Sequence, residues 1–289
     1  MHTSFKTVAL VGKYDSDIGD SILRLARFLV HRGFKVIIAR QTAEKLDIPG
    51  YRLENLSDIG KMADVAIALG GDGTILSITR VLAPFGIPLI GVNQGRLGFL
   101  TDLSMEEMET ELAEILTGHY QAEDRILLEA RVLRNQQPVF EASAFNDVVV
   151  SKAGTGRLIE FEVSIDEEFV YSQRSDGVVV ATPTGSTAYA LSAGGPILHP
   201  ALVALALVPI CPHTLSARPI VVNGDSHVEI RIVFADDCRA HFDGQKYVDM
   251  VAGDRLQIYR AVRPATLLHP LDHSYYSTLR QKLHWGHKL

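Results

Sequence analysis

The chain has 289 residues, with 28 Lys+Arg against 34 Asp+Glu and a formal charge of −6, which excludes a uniformly basic nucleic-acid binder. Hydrophobic residues make up 47% and charged residues 21%, a balance that excludes disorder. The longest uninterrupted apolar run, residues 201–208, is far short of a membrane span. Cys211 and Cys238 cannot form a disulfide framework, and the short apolar run at 8–11 is no signal peptide, so a cytoplasmic location and no membrane partner are expected.

The length predicts two domains. Residues 7–11 form a short apolar run before Gly12, the pattern of a buried strand. Ile18, Ile22, Leu25 and Leu29 follow at helical spacing, with Gly33 as the stop. Residues 36–39, 65–69 and 88–92 read as further buried strands, and a helix is predicted through Ile75, Ile78, Val81 and Leu82. This alternation implies a parallel sheet covered on both faces, a doubly wound α/β domain over residues 1–100. Residues 93–100 read as a hinge. Ser104 and Glu107 then have capping-box spacing before a helix through Met108, Leu112 and Ile115.

From Ile126 the pattern becomes strand after strand, at 127–133, 139–143, 147–150, 158–165 and 178–181. Turns are marked by Asn135-Gln136-Gln137, Asp166-Glu167-Glu168 and Asp243-Gly244. The reading is a β-rich, β-sandwich-like domain over 101–264, with one helix after Thr187. The polar, His-rich residues 265–289 are expected to form a tail that packs back on the first domain.

The third strand runs into Gly70-Gly71-Asp72-Gly73-Thr74. Glycines at the C-terminal end of a strand, opening a helix, let backbone N–H groups approach a phosphate. A carboxylate in such a loop fits a base for an attacking hydroxyl, or a metal holder. A tight turn with Asp72 as a helix N-cap is the bland alternative. Gly12-Lys13 is no P-loop, and neither Gly71-x-Gly73 nor Gly154-x-Gly156 has the third glycine of a dinucleotide fingerprint.

A second segment, Thr182-Pro183-Thr184-Gly185-Ser186-Thr187-Ala188-Tyr189, follows the strand at 178–181 and leads to Gly194-Gly195-Pro196. Its hydroxyls and small residues suit a polyhydroxyl, polyphosphate ligand. They equally suit a turn and a small-residue helix packed on a sheet. Ala190-Leu191-Ser192-Ala193-Gly194 is a near miss of the serine-hydrolase elbow, but the strand ends some ten residues earlier.

Taken together, Gly70-Gly71-Asp72-Gly73-Thr74, Asn146-Asp147 and the segment 182–189 resemble the bacterial NAD kinases. Residues 93–100, Gly194-Gly195-Pro196, the segment 209–216 and Asp243-Gly244-Gln245 add to the likeness, which spans roughly residues 8–259. The family's usual Asn-Glu pair is Asn-Asp here, which shortens the carboxylate at 147 by one carbon. The resemblance implies the transfer of phosphate from ATP to NAD, giving ADP and NADP, with Asp72 acting at the 2′-hydroxyl of the adenosine ribose. It implies nucleotide contacts from Gly71, Gly73, Thr74, Asn146, Asp147, Thr184, Ser186, Thr187, Ala188, Tyr189, Ala190, Leu191, Ser192 and Gln245. Arg157, Arg174 and Asp176 fall where the family contacts NAD or the donor phosphates. It also implies a divalent cation, Mg²⁺ delivered with ATP, and a homodimer or homotetramer.

Two other classes share part of this pattern: a lipid or sugar kinase with only the first motif, and a non-catalytic NAD(H)-sensing protein. The segment 182–189 weighs against the first, and the intact Gly-Asp-Gly core against the second. His269, His273, His284 and His287 read as a solvated tail, Cys211 as a packed structural thiol between Pro209 and Pro212, and the glutamates at 106–114 as a solvated helix face.

Overall fold

The computed structural model describes residues 5–12, 18–43, 50–95, 98–154 and 157–285. The elements run β1 (Thr7–Gly12), α1 (Ile18–His31), β2 (Lys35–Ala39), α2 (Arg40–Ala43), β3 (Arg52–Glu54), α3 (Leu56–Met62), β4 (Val65–Leu69), α4 (Asp72–Leu82), β5 (Leu89–Asn93), β6 (Leu103–Ser104), α5 (Met108–Leu116) and β7 (Gln121–Arg125). They continue β8 (Leu128–Arg134), β9 (Gln137–Ala144), β10 (Asp147–Lys152), β11 (Ile159–Ile165), β12 (Glu168–Ser175), β13 (Gly177–Ala181), α6 (Tyr189–Ser192), β14 (Ala204–Ile210) and β15 (Ile220–Asn223). The last are β16 (Val228–Phe234), β17 (Cys238–Phe242), β18 (Lys246–Met250), β19 (Arg255–Arg260), β20 (Ala265–His269) and α7 (Tyr275–Lys282). Among the described residues no helix is long and apolar enough to cross a membrane.

The described residues up to Asp124, with those from Ala265 onward, make one unit, and Arg125–Pro264 make the other. In the first, the sheet order is β3-β2-β1-β4-β5-β20-β7, with β6 beside β5. The pairs β1–β2, β1–β4, β4–β5 and β5–β20 are parallel. Val8 and Leu10 of β1 pack with Ile22, Leu25 and Leu29 of α1 and Met108, Leu112 and Ile115 of α5. The alternate residues Ala9, Ala66 and Ala68 are also fully buried. They belong to the other face, where α3 and α4 lie against each other and against β2 and β4. Burial on both faces is why these strands read as continuous apolar runs.

The boundary therefore falls after Asp124 rather than at residue 100. The apolar stripe of α5 was legible, but periodicity alone does not say which core it fills. Ser104 does accept the N–H of Glu107 at 3.2 Å, although the α-helix begins only at Met108.

The expectation of a solvated His-rich tail is overturned at its first two members. His269 ends β20 and is 2% exposed. Its Nδ1 meets Asp102 Oδ2, and its Nε2 lies 3.1 Å from Glu123 Oε2. His273 Nδ1 lies 3.0 Å from the other oxygen of Asp102, and the two rings stack at 4.0 Å. His287 lies outside the described residues. Burial disfavours charge on His269, but hydrogen bonds and charge attraction from Asp102 and Glu123 outweigh it, so its pKa is raised above 6.5.

The second unit stacks two antiparallel sheets, β15-β14-β13-β10-β17-β18 and β12-β11-β16-β19-β8-β9. Val148, Val150, Val178, Val180 and Phe242 from one meet Phe161, Val163, Ile230 and Ile258 from the other in one core, a β-sandwich. At Asn135-Gln136, Asp166-Glu167 and Asp243-Gly244 both residues have positive φ, 51° and 65°, 50° and 69°, 52° and 62°. At the first two, where Arg134 pairs with Gln137 and Ile165 with Glu168, this fits two-residue hairpin loops of type I′, whereas three residues separate the paired Phe242 and Lys246. Cys238 is the buried thiol, its pKa pushed up to about 12 by burial. Cys211, expected to be buried, is exposed with φ 44°. The prolines beside it shape the chain but do not cover its side chain.

The His269 cluster generates a pH prediction. A group whose folded pKa is raised contributes stability that is complete below its unfolded value. That stability is lost as pH rises through the folded value. Urea midpoints should therefore fall as pH rises above about 6.5, and His269→Asn should flatten that dependence. Equal slopes for the two proteins would remove the cluster from the account.

Candidate active site

The strand order reverses between β1 and β4, and β4 delivers the chain into Gly70-Gly71-Asp72-Gly73-Thr74. That is the switch point at which open α/β sheets bind ligands. Gly71 is the N-cap of α4, and Asp72 is its first residue. The N-cap role considered for Asp72 therefore falls to its neighbour. The Asp72 carboxylate reaches elsewhere: Oδ2 accepts the N–H of Phe99 at 2.9 Å, and Oδ1 that of Leu100 at 3.1 Å. A Cβ on Gly98 would stand 1.9 Å from Asp72 Oδ1, so only glycine admits the carboxylate there. Gly98 N–H is itself held by Thr101 Oγ1 at 2.9 Å. Asp72 is half-buried, while Gly71 and Gly73 remain exposed beside it. An anchored carboxylate beside exposed glycine backbone at a helix start is suited to both a hydroxyl donor and a phosphate.

In the second unit, strand pairing gathers the other motifs. Antiparallel β10 and β13 pair Asp147 with Ala181, and β10 and β17 pair Val148 with Phe242. Asn146-Asp147, the segment from Thr182 and the Asp243-Gly244-Gln245 turn therefore share one end of the sheet. Thr182 N–H donates to Asn146 O at 2.9 Å, and Thr182 Oγ1 to Phe145 O at 2.6 Å. A Cβ at Gly185 would lie 2.1 Å from Asn146 O. Glycine there is what lets the two loops touch.

The Asp243 carboxylate organises the Asn146 loop. It accepts N–H groups from Phe145 at 3.0 Å, Asn146 at 2.7 Å and Asp147 at 3.2 Å. Asp243 N–H returns a bond to Asp147 O at 3.0 Å. Asp147 is 5% exposed. Burial first, and the charge of Asp243 second, push its pKa up to about 7. The sequence showed Asp243 as a turn residue and as part of a segment shared with the NAD kinases, but not as the partner of the Asn146 loop. Its place before glycine was the available signal, because a short carboxylate in a turn readily accepts nearby backbone N–H groups.

The expected contacts in the segment 182–192 divide by exposure. The Ser186 hydroxyl donates to Pro183 O at 2.6 Å and accepts Leu198 N–H at 2.9 Å, so it staples the loop. Ala190 is buried with Val179, Ala206 and Val208, and Thr184 Oγ1 accepts from Arg125 at 3.3 Å. Thr187, Ala188 and Leu191 are half-buried, and Tyr189, Ser192 and Gln245 are exposed. The Tyr189 phenol is raised by partial burial, then by the charges of Cys211, Asp147 and Asp176. Ser192 ends the short α6, well past β13, so no nucleophile elbow forms.

Arg174 and Asp176 lie toward the end of β12 and β13 opposite Thr182, although the charge of Asp176 still reaches Tyr189. Asp176 precedes Gly177, the start of β13, and lies 2.7 Å from Lys152 Nζ. Arg174 is exposed on β12, 3.8 Å from Glu160 Oε2, and Arg157 is exposed just before β11.

Two family models match the chain: the ATP-NAD kinase N-terminal domain over residues 8–120 and the ATP-NAD kinase C-terminal domain over 145–269. An NAD kinase of Thiobacillus denitrificans is 60% identical over 100% of both chains, and one of Aromatoleum aromaticum is 52% identical over 99% of this chain and 96% of its own. Among solved structures, yeast NADH kinase complexed with NADH superposes with a TM-score of 0.89 at 25% identity, covering 99% of this chain and 90% of that one. An NAD kinase from Archaeoglobus fulgidus in complex with ATP gives 0.75 at 28% identity, over 96% and 98%. With both of its domains matched and full-length relatives at this identity, the chain belongs to the ATP-NAD kinase family.

Proposed function

We propose that the chain phosphorylates the 2′-hydroxyl of the adenosine ribose of NAD from ATP, with Asp72 as the proton acceptor. The observation that carries this reading is the Asp72 carboxylate, fixed by two backbone N–H groups at the sheet's switch point. A ribose hydroxyl is a poor nucleophile at neutral pH, and a positioned carboxylate takes its proton as the bond to phosphorus forms. The rest of phosphoryl transfer is alignment and charge neutralisation. The exposed glycine backbone at Gly71 and Gly73, at the start of α4, lets phosphates approach closely, with Thr74 beside it. Asn146, Asp147, Thr187, Tyr189 and Gln245 suit the polar edge of the nucleotide. ATP enters as its magnesium complex, so the cation is part of the substrate.

The direct test is NADP formation from NAD, ATP and Mg²⁺ by the purified protein. Asp72→Asn keeps the side chain's shape and one acceptor oxygen but removes its basicity. It should lower kcat at least ~10²-fold while changing the Kd for NAD by less than about tenfold. Near-normal turnover by this variant would take Asp72 out of the mechanism. Gly98→Ala, which pushes a methyl group into the carboxylate's place, should cut kcat by more than about tenfold. Its cooperative unfolding should be retained, and an unchanged kcat would mean the carboxylate's position is immaterial.

Chelation supplies an independent check. Excess EDTA should abolish turnover, and calorimetric titration should show NAD binding nearly unchanged. Loss of NAD affinity on chelation would instead reveal a cation bound by the protein itself.

A further inference from the structure

We infer that Asp243 is a positioning residue for NAD recognition, its carboxylate holding the backbone of Phe145, Asn146 and Asp147 in the shape that presents Asn146 and Asp147 to the nucleotide. The inference rests on the assignment of those two residues as nucleotide contacts, made above. One carboxylate accepts three successive N–H groups, at 3.0, 2.7 and 3.2 Å. Three consecutive amides converging on one anion define a local backbone conformation. The reciprocal bond from Asp243 N–H to Asp147 O closes the ring.

The turn that carries Asp243 is itself constrained. Asp243 and Gly244 have φ 52° and 62°, and β17 and β18 continue the pairing on either side, from Phe242↔Lys246 to Cys238↔Met250. The loop is held from its other side by Thr182, which bonds both Phe145 O and Asn146 O. The Asp243 carboxylate bonds the backbone of the loop, so its effect on the nucleotide passes through the residues that the loop carries.

The arrangement also sets a charge relation. Asp147 is buried beside the negative Asp243, and its ionisation falls near pH 7. Tyr189 also senses the charge of Asp147, together with those of Cys211 and Asp176. Ionised Asp147 accepts hydrogen bonds from the nucleotide, so kcat/KM for NAD rises with pH through this region. Neutralising Asp243 removes a repulsion and moves that limb to lower pH.

The experiment compares Asp243→Asn and Asp243→Ala with Asn146→Ala and Asp147→Asn in the full chain. It measures kcat, KM for NAD and for ATP, thermal stability, and the pH profile of kcat/KM for NAD. Asp243→Asn keeps an acceptor oxygen, and asparagine tolerates positive φ. It should shift the limb near pH 7 to lower pH while kcat changes less than KM. Asp243→Ala should raise KM for NAD on the order of tenfold and KM for ATP by less than about twofold. Asp147→Asn should abolish the limb.

If Asn146→Ala and Asp147→Asn leave KM for NAD and the pH profile unchanged, the nucleotide assignment fails and takes this inference with it. If those two act as expected but Asp243→Asn keeps the original limb, the assignment stands and positioning by Asp243 is overturned. An Asp243→Ala effect that falls equally on NAD and ATP, with lowered thermal stability, overturns it in the same way.

Discussion

The antiparallel pairing of β10 with β13 is the constraint on which the gathering of motifs in the second unit depends. It sets Asp147 opposite Ala181, and β17 on the other side sets Phe242 opposite Val148. Segments separated by tens of residues in sequence thereby end at one edge of one sheet. A slip of one residue would invert every inward-facing valine of β10 and β13. The register that builds the sandwich core, Val148 and Val150 against Phe161 and Ile230, is thus the register that assembles the loops. Packing energy and site geometry are enforced by the same bonds.

The carboxylates show three uses of one functional group. Asp72 is held by two N–H groups from another loop and remains half-buried. Asp243 spends its acceptor capacity on backbone. Asp147 is buried and carries the penalty of a like charge nearby. Burial first, and that like charge second, push the pKa of the Asp147 carboxyl up to about 7. Residue identity does not distinguish the three, but their environments do.

Much of this was legible in the sequence. Buried apolar runs such as Val65–Leu69 announce parallel strands because helices cover both faces. The glycine loop after β4 and the hydroxyl-rich segment after β13 mark the ends of those two strands. What stayed hidden depends on partners remote in sequence. The stripe on α5 shows a buried face but not its core, so the domain boundary was misplaced. His269 reads as a tail residue until Asp102 and Glu123 close around it. Asp243 reads as a turn residue within a family-like segment, and its hold on the Asn146 loop shows only when its three donors are seen. The prolines flanking Cys211 suggested enclosure, yet the turn presents the thiol outward.

The place of β20 in the first sheet has a consequence for how the chain acquires its structure. The strand lies between β5 and β7, so the α/β unit is discontinuous in sequence while Arg125–Pro264 is continuous. During synthesis the sandwich has all of its strands once Arg260 has emerged, whereas the α/β sheet still lacks an interior strand. Until Leu267 reaches its place beside Leu89, the edges of β5 and β7 have no partner between them. Unpaired strand edges invite association with other chains. The segment from Ala265 onward is therefore the latch on a sheet whose other strands are all made before the sandwich, and a chain cut off before it holds a finished sandwich beside an unfinished sheet.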